Sequence, residues 1–514
     1  MDLKFLVFFN FLSLVFGYAD WSEDEYPEKW YSNARDNLEK LLSRKPNKNM
    51  AKNTILFLGD GMGITTITAG RILKGQLKGR NGEEEVTNME SMDNVALSKT
   101  YGIDSQTTDS AATATAYLTG VKTRVAMIGL SGRAKIRECS PQLENYKVKS
   151  ILKWAKEAGK SVGIVTTTRI THATPAGTYA HTSYRNFETF DGKVFNLTHQ
   201  QNGCKDIAAQ LIDENSYIDV IFGGGRRKFL RKEDRDYHEW NKTGERVDNR
   251  NLINDWHYKM EQMNKTHKFV WNISDFENLR PNQYDHVLGI LAWDHMKYEA
   301  DRVVEDYIDE PSISEMTQKA IELLSTNPNG YFLLVEGGRI DLAHHNSNAR
   351  RALEEFVAFD EAIGLANKMV DHEDTLVVVT ADHSHEFNIG GYSKRGNPIL
   401  GLVDSIEYRE LSSGGYTFTS LSYGNGPGGL KEIRNRNLTA KETTNIDYHQ
   451  ESAVFMEYET HGGEDVAIFA KGPMSHLFDG TVEQSFIAYA MAYASCIGPF
   501  DRNSYPTCEF ERGA

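Results

Sequence analysis

The chain has 514 residues, of which 40% are hydrophobic and 25% charged, a balance that belongs to a folded protein rather than a disordered one. Its length accommodates several domains or one large α/β body. The net charge of −15 excludes a broad basic field of the kind that releases counterions from nucleic acid, so an anionic substrate must be drawn in by local charge, such as metal ions.

In chain order, an apolar run over 5–16 follows Lys4 and leads to Gly17 and Ala19. It reads as a secretory signal peptide over 1–19, too short to span a bilayer. Five sequons, at Asn196, Asn241, Asn264, Asn272 and Asn437, agree with secretion as candidate glycosylation sites. So does an even set of cysteines, Cys139, Cys204, Cys496 and Cys508. Three disulfide connectivities are possible; Cys496–Cys508 is the local pair, which leaves Cys139 with Cys204. The rest, 20–514, reads as one enzyme domain opening on a helical arm over 20–43. No later stretch has transmembrane length, and no hydrophobic tail of a lipid-anchor signal is visible, so a soluble secreted form is expected.

Solid apolar runs at 54–58, 162–167, 219–222, 331–335, 375–380 and 466–470 predict strands buried on both faces. Between them, 149–158 reads as a helix closed by Gly159. Ala349, Leu353, Phe356, Phe359, Ile363 and Val370 recur at three-to-four spacing as another helix. The alternation predicts an α/β fold with a central, mostly parallel sheet flanked by helices. Two segments depart from it. Residues 228–312 are polar and rich in Trp and Asn, and 392–458 are rich in turns; both read as insertions on the core.

Three predicted strands run into an acid, Asp60, Glu336 or Asp382, and ligands in open α/β sheets bind beyond the carboxyl ends of strands. Asp341 and His345, four apart, share a helical face. His383 and His385 follow the fifth strand, and His461 precedes the last. Mixed Asp and His without Cys suits zinc with open coordination positions. Asp341, His345 and His461 fit one Zn²⁺, and Asp60, Asp382 and His383 a second. Glu336 with a hydroxyl such as Thr174 suits Mg²⁺. Ser110 opens a stretch of small residues that reads as a helix start, where backbone N–H groups and the dipole favour an anion; an N-cap serine is the other reading. With no Gly-x-Ser-x-Gly elbow in the chain, metal activation is the natural route to a serine nucleophile. Arg185 offers a fork that matches phosphate oxygens.

Phe57-Leu58-Gly59-Asp60-Gly61-Met62-Gly63, Thr108-Asp109-Ser110-Ala111, His172-Ala173-Thr174-Pro175, Val335-Glu336-Gly337-Gly338-Arg339-Ile340-Asp341, Thr380-Ala381-Asp382-His383-Ser384-His385 and Glu459-Thr460-His461 together resemble the animal alkaline phosphatases. The likeness runs from about Trp21 to Cys508. It implies hydrolysis of phosphate monoesters, with broad substrate range, through a phosphoserine at Ser110, with Arg185 gripping the phosphate. It implies two Zn²⁺ and one Mg²⁺ per subunit: Asp341, His345 and His461; Asp60, Asp382, His383 and Ser110; and Asp60, Thr174 and Glu336. Around these ligands, Asp109 falls beside the nucleophile, His172 beside the magnesium and His385 near a zinc. The resemblance further implies the disulfides Cys139–Cys204 and Cys496–Cys508, a crown-like character for 392–458, and a homodimer in which Tyr392 reaches toward the other subunit's site. Two departures stand out. Asp341-Leu342-Ala343-His344-His345 lacks the His-Gly of many relatives. At a fourth, Ca²⁺-like site, Ala292 stands where an acid is common and Glu310 where Asp is common. Competing readings are a phosphodiesterase on the same core, which commonly lacks the magnesium ligands present here, and a catalytically silent surface-binding relative, whose signature would be a lost nucleophile or zinc ligand. A sulfatase would need Cys/Ser-x-Pro-x-Arg, which Ser110-Ala111-Ala112 is not.

Overall fold

A computed structural model of the chain describes residues 24, 26–304, 309–404, 415–429 and 437–501. The signal segment 1–19 and Cys508 lie outside these residues. The chain divides into two compact units, one ending at Pro46 and one beginning at Asn47. In the first, α1 (Pro27–Ser43) starts on a proline and carries Glu28 in its first turn and Lys40 in its last, all favourable at those ends. None of its residues is buried.

The second unit carries β1 (Asn53–Gly59), β2 (Asn94–Lys99), β3 (Ser161–Arg169), β4 (Val220–Gly224), β5 (His267–Val270), β6 (His286–Ala292), β7 (Tyr331–Gly337) and β8 (Thr375–Ala381). Further on come β9 (Ser384–His385), β10 (Phe387–Ile389), β11 (Leu421–Gly426), β12 (Ser452–Phe455), β13 (His461–Gly462), β14 (Val466–Lys471) and β15 (Thr481–Glu483). Ten strands form one sheet in the order β15-β2-β14-β8-β1-β7-β3-β4-β6-β5. Only β14 runs antiparallel to its neighbours β8 and β2. Every residue of β7 and β8 is buried, because helices cover both faces of the sheet. Alternation along β1 divides the core. Leu56 and Leu58 join Ala111, Tyr117, Ile151 and Ile487 on one face, and Ile55 and Phe57 join Ile67, Met316, Phe356 and Phe359 on the other.

All six expected strands are present. The segment 228–312 supplies β5 and β6 to the edge of the central sheet. Polar loops on either side mask the run His-Val-Leu-Gly-Ile-Leu-Ala of β6, which is buried throughout. Within 392–458, β11 and β12 join β10 in a separate three-stranded sheet. Residues 405–414 and 430–436 of that segment lie outside the described set. Cys139 and Cys204 are bonded with Cα atoms 5.4 Å apart, and Cys496 is also in a disulfide. No described helix is long and apolar enough to cross a membrane.

The parallel register aligns the strand ends that matter. Leu58 lies beside both Glu336 and Thr380, and Thr166 beside Glu336. Asp60, Glu336 and Asp382 therefore emerge along one rim of the sheet.

Candidate metal and catalytic centre

Ser110 is the first residue of α3 (Ser110–Thr119), and the N-cap is Asp109, whose carboxylate accepts from Ala112 N at 3.2 Å. The serine hydroxyl is thus not spent on capping. It lies 3.3 Å from Asp60 Oδ1 and 3.3 Å from His383 Nε2, and the residue is 1% exposed. Asp109 also holds Arg185, accepting from its guanidinium at 2.9 Å.

Asp341 and His345 share the short helix Arg339–His345, as their spacing requires. His345 Nδ1 meets the Glu459 carbonyl at 2.6 Å, and His461 Nδ1 meets the Thr108 carbonyl at 2.7 Å. A carbonyl can only accept, so each Nδ1 carries a proton and Nε2 is the atom with which each ring can meet a cation. Burial, followed by the opposing pull of Asp341, leaves the His345 pKa lowered, which favours the neutral ring. Those two Nε2 atoms are 3.1 Å apart, and they lie 3.4 Å (His345) and 3.3 Å (His461) from Asp341 Oδ1. Two imidazole nitrogens and a carboxylate oxygen converge on one point, the mixed set of ligand atoms that suits a cation.

The same logic holds one step away. His383 Nδ1 faces the Ser384 carbonyl at 3.2 Å, leaving its Nε2 3.1 Å from Asp382 Oδ2 and 3.5 Å from Asp60 Oδ1. Asp382 Oδ1 accepts from the backbone N–H groups of Gly61 and His383, each at 2.9 Å, which fixes the carboxylate. Gly61 is required there: its φ is +68°, and a Cβ would lie 2.4 Å from His385 Nε2. Burial, and after it the neighbouring acids Asp382, Asp341 and Glu336, pushes the Asp60 carboxyl well up.

A third cluster brings ligand atoms of Asp60, His172 and Glu336 within 4.8 Å of one another. Asp60 Oδ2 and Glu336 Oε1 are buried there without a hydrogen-bond partner. The other Glu336 oxygen accepts from Thr166 and, at 3.1 Å, from Thr168. Burial pushes Glu336 up to about 7, with hydroxyls including that of Thr174 pulling the other way. His172 Nε2 lies 3.3 Å from the Arg185 guanidinium, which can only donate, so its buried Nδ1 bears a proton. Burial and the two arginines Arg185 and Arg169 lower its pKa to about 3. His172 therefore offers the cluster a donor, whereas Asp60, Glu336 and Thr174 offer oxygens, the set that a hard cation takes.

His385 lies between two carboxylates, with Nδ1 2.5 Å from Glu459 Oε2 and Nε2 2.9 Å from Asp341 Oδ1. Burial opposes the charged ring, but Glu459 and Asp341 raise its pKa to about 10. In that state the ring donates to Asp341 through Nε2. The role of Glu459 lies in contacts with residues far away in the chain, which the motif Glu459-Thr460-His461 does not encode. At the fourth, calcium-like position Ala292 brings no ligand atom from its side chain, and Glu310 accepts from Lys297 N at 2.8 Å. Of the sequons, Asn241, Asn264 and Asn437 are exposed, while Asn196 and Asn272 are half-buried helix caps. Tyr392 is 75% exposed.

The sequence model of the alkaline phosphatases matches residues 51–497. The chain belongs to the alkaline phosphatase family. It is 47% identical over 479 residues to the tissue-nonspecific alkaline phosphatase isozyme of Gallus gallus, covering 92% of this chain and 90% of that one. To the tissue-nonspecific isozyme of Homo sapiens it is 45% identical over 482 residues, covering 93% and 90%. Among solved structures, the alkaline phosphatase of the Antarctic bacterium TAB5 superposes with a TM-score of 0.58 at 23% identity, over 87% of this chain and 99% of that one. That of Thermus thermophilus gives 0.61 at 22%, over 88% and 93%. At such identities these two show the fold. As an alkaline phosphatase the chain is a metal-dependent phosphoric monoester hydrolase.

Proposed function

We propose that this alkaline phosphatase acts through a phosphoserine at Ser110, on a broad range of monoesters, with two Zn²⁺ and one Mg²⁺ per subunit. Asp341, His345 and His461 would hold the first zinc. Asp60, Asp382 and His383 would hold the second, and Asp60, Glu336 and Thr174 the magnesium. When bound, the cations neutralise the clustered carboxylates and favour the deprotonated forms of hydroxyl groups near them. Together with Arg185 they would leave about three positive charges against Asp60, Glu336, Asp341 and Asp382, enough to balance a phosphate dianion and an alkoxide.

The chain's own residues divide the work. Arg185, held by Asp109, grips two phosphate oxygens. Ser110 Oγ forms a bond to phosphorus while the ester P–O bond breaks, and its proton passes to solvent water. The departing alkoxide takes up a proton and leaves as the alcohol. Water then bonds to phosphorus, the Oγ–P bond breaks, and Ser110 regains a proton as phosphate departs. Because the site grips the phosphoryl group, many leaving groups are accepted.

The observation that carries this reading is the convergence of His345 and His461 on Asp341, with Asp60, Asp382 and His383 gathered beside Ser110. The test is hydrolysis of a chromogenic phosphate monoester at alkaline pH by untreated, chelator-treated and remetallated protein, alongside Ser110→Ala. Activity should vanish with chelator, return with Zn²⁺ and Mg²⁺ together, and fall by at least three orders of magnitude in Ser110→Ala. Near-normal turnover by Ser110→Ala overturns the assignment.

The same reading includes secretion after removal of 1–19, glycosylation at the exposed sequons first, and a homodimer with 392–458 as a crown-like insertion. A dimer is supported by exposed apolar side chains in and beside that segment, among them Ile389, Tyr392, Val454, Phe455, Met456 and Tyr458.

A further inference from the structure

Glu459 is 1% exposed, and each of its carboxylate oxygens has its own donor. Oε2 faces His385 Nδ1 at 2.5 Å, and Oε1 accepts from the Glu386 backbone N–H at 2.8 Å. Its backbone is engaged as well. The carbonyl accepts from His345 Nδ1 at 2.6 Å, and the N–H donates to the His345 carbonyl at 2.9 Å. The next residue is clamped from β11: Asn425 Oδ1 accepts from Thr460 N, and Asn425 Nδ2 donates to Thr460 Oγ1, each at 2.9 Å. His461 follows, paired across β13 and β9 with His385.

Three imidazoles around Asp341, those of His345, His385 and His461, thus trace back to one short segment. His385, aimed by the Glu459 carboxylate, donates to Asp341 at 2.9 Å and sets its rotamer. His345 is held in its Nδ1–H tautomer by the Glu459 carbonyl. His461 lies two residues further along the chain, at the start of β13. We propose that Glu459 is the positioning residue of the first metal cluster, fixing Asp341 through His385 and fixing His345 directly, so that their ligand atoms converge before a cation arrives. The inference rests on the reading of Asp341, His345 and His461 as zinc ligands. Outer carboxylates behind ligating groups commonly set metal affinity by 10–100-fold through such aiming.

The chemistry of the side chain makes a specific pattern of variants. Glu459→Ala strands the His385 Nδ1–H and the Glu386 N–H in a buried place and frees His385 to rotate. Glu459→Gln keeps the length and both contacts, since its carbonyl serves the Glu386 N–H while its amide donates to a His385 ring that has given up one proton. Glu459→Asp keeps two acceptor oxygens but is one methylene short of both partners.

Zinc affinity is read by competition with a chromophoric chelator on the purified full chain, together with the thermal midpoint of each metal-free variant. Glu459→Ala should bind the first zinc roughly 10–100-fold more weakly than wild type, Glu459→Asp by an intermediate factor, and Glu459→Gln within about threefold of wild type. A residue with a purely structural role would lower the metal-free midpoint and leave zinc affinity unmoved. Wild-type zinc affinity in Glu459→Ala overturns the proposal, and where that variant does not fold, wild-type affinity in Glu459→Asp does so. Phosphatase activity with intact zinc binding in those variants would leave the metal reading standing while this inference falls. Failure of the wild-type chain to bind zinc at all would sink both.

Discussion

Arg226 is 1% exposed and forks onto Asp236 with two bonds of 2.7 Å, while its third arm donates to the Ile290 carbonyl at 2.9 Å. A buried pair of this kind adds little over an apolar substitute, but losing one member strands a charge. Arg226→Met should therefore destabilise the protein by ~3–5 kcal/mol in urea unfolding. Adding Asp236→Asn should recover part of that loss, although Asp236 also caps the His238 and Glu239 N–H groups. No recovery in the double variant would show that packing, not the stranded carboxylate, sets the cost. Arg185 is a different case, being exposed enough to meet substrate and paired with Asp109. Arg185→Lys keeps the charge but loses the planar fork, and kcat/KM for a monoester should fall by roughly 10–100-fold. Both arginines are plain letters in the sequence. Arg185 could be found through the motifs around it, whereas the Arg226–Asp236 pair shows only once burial is known.

At the scale of elements, the strands that could be read from the sequence are those in the middle of the sheet. β1, β3, β7 and β8 are covered on both faces, so composition alone marks them. β2 has an exposed face, β15 has three residues, and β5 is half-covered, so none of them makes a solid apolar run. β6 does make one, and was hidden only by the polarity of its flanks. The site followed the same rule. Acids at the ends of central strands were visible, but the tautomers of His345, His383 and His461 are set by carbonyls from Glu459, Ser384 and Thr108. Two of those three carbonyls are remote in sequence, and no local pattern encodes them. The Cys139–Cys204 bond closes 65 residues, including the segment that carries Thr174 and Arg185. Replacing both cysteines by serine should cost about 4 kcal/mol on the chain-entropy account. Equilibrium unfolding checks this, and a loss under about 1 kcal/mol would mean that the unfolded chain already keeps this loop compact.

For the molecule as a whole, the metal-free state carries an electrostatic cost that depends on pH. Burial pushes Glu336 up to about 7 from an ordinary value of 4.5 and moves Asp60 and Asp382 in the same direction. A carboxyl whose folded pKa is raised binds more protons folded than unfolded, so stability falls as pH climbs through its window. Asp341 runs the other way, because His345, His385 and His461 outweigh burial and hold it low. Below about 6.5, buried neutral histidines such as His344 and His383 also oppose the trend, since the unfolded chain takes up their protons. Above 6.5 that opposition ends, while Glu336, raised to about 7, still loses its proton against the field of its neighbours. Cations bound to the clusters would remove this penalty, and affinity for them rises as the ligands deprotonate. The gap in thermal midpoint between remetallated and metal-free protein should therefore widen from pH 6.5 to pH 8, a comparison that differential scanning calorimetry makes directly. A gap that stays constant across that range would mean the buried carboxylates keep their protons without metal, and that the clusters are neutral networks rather than sites waiting for charge.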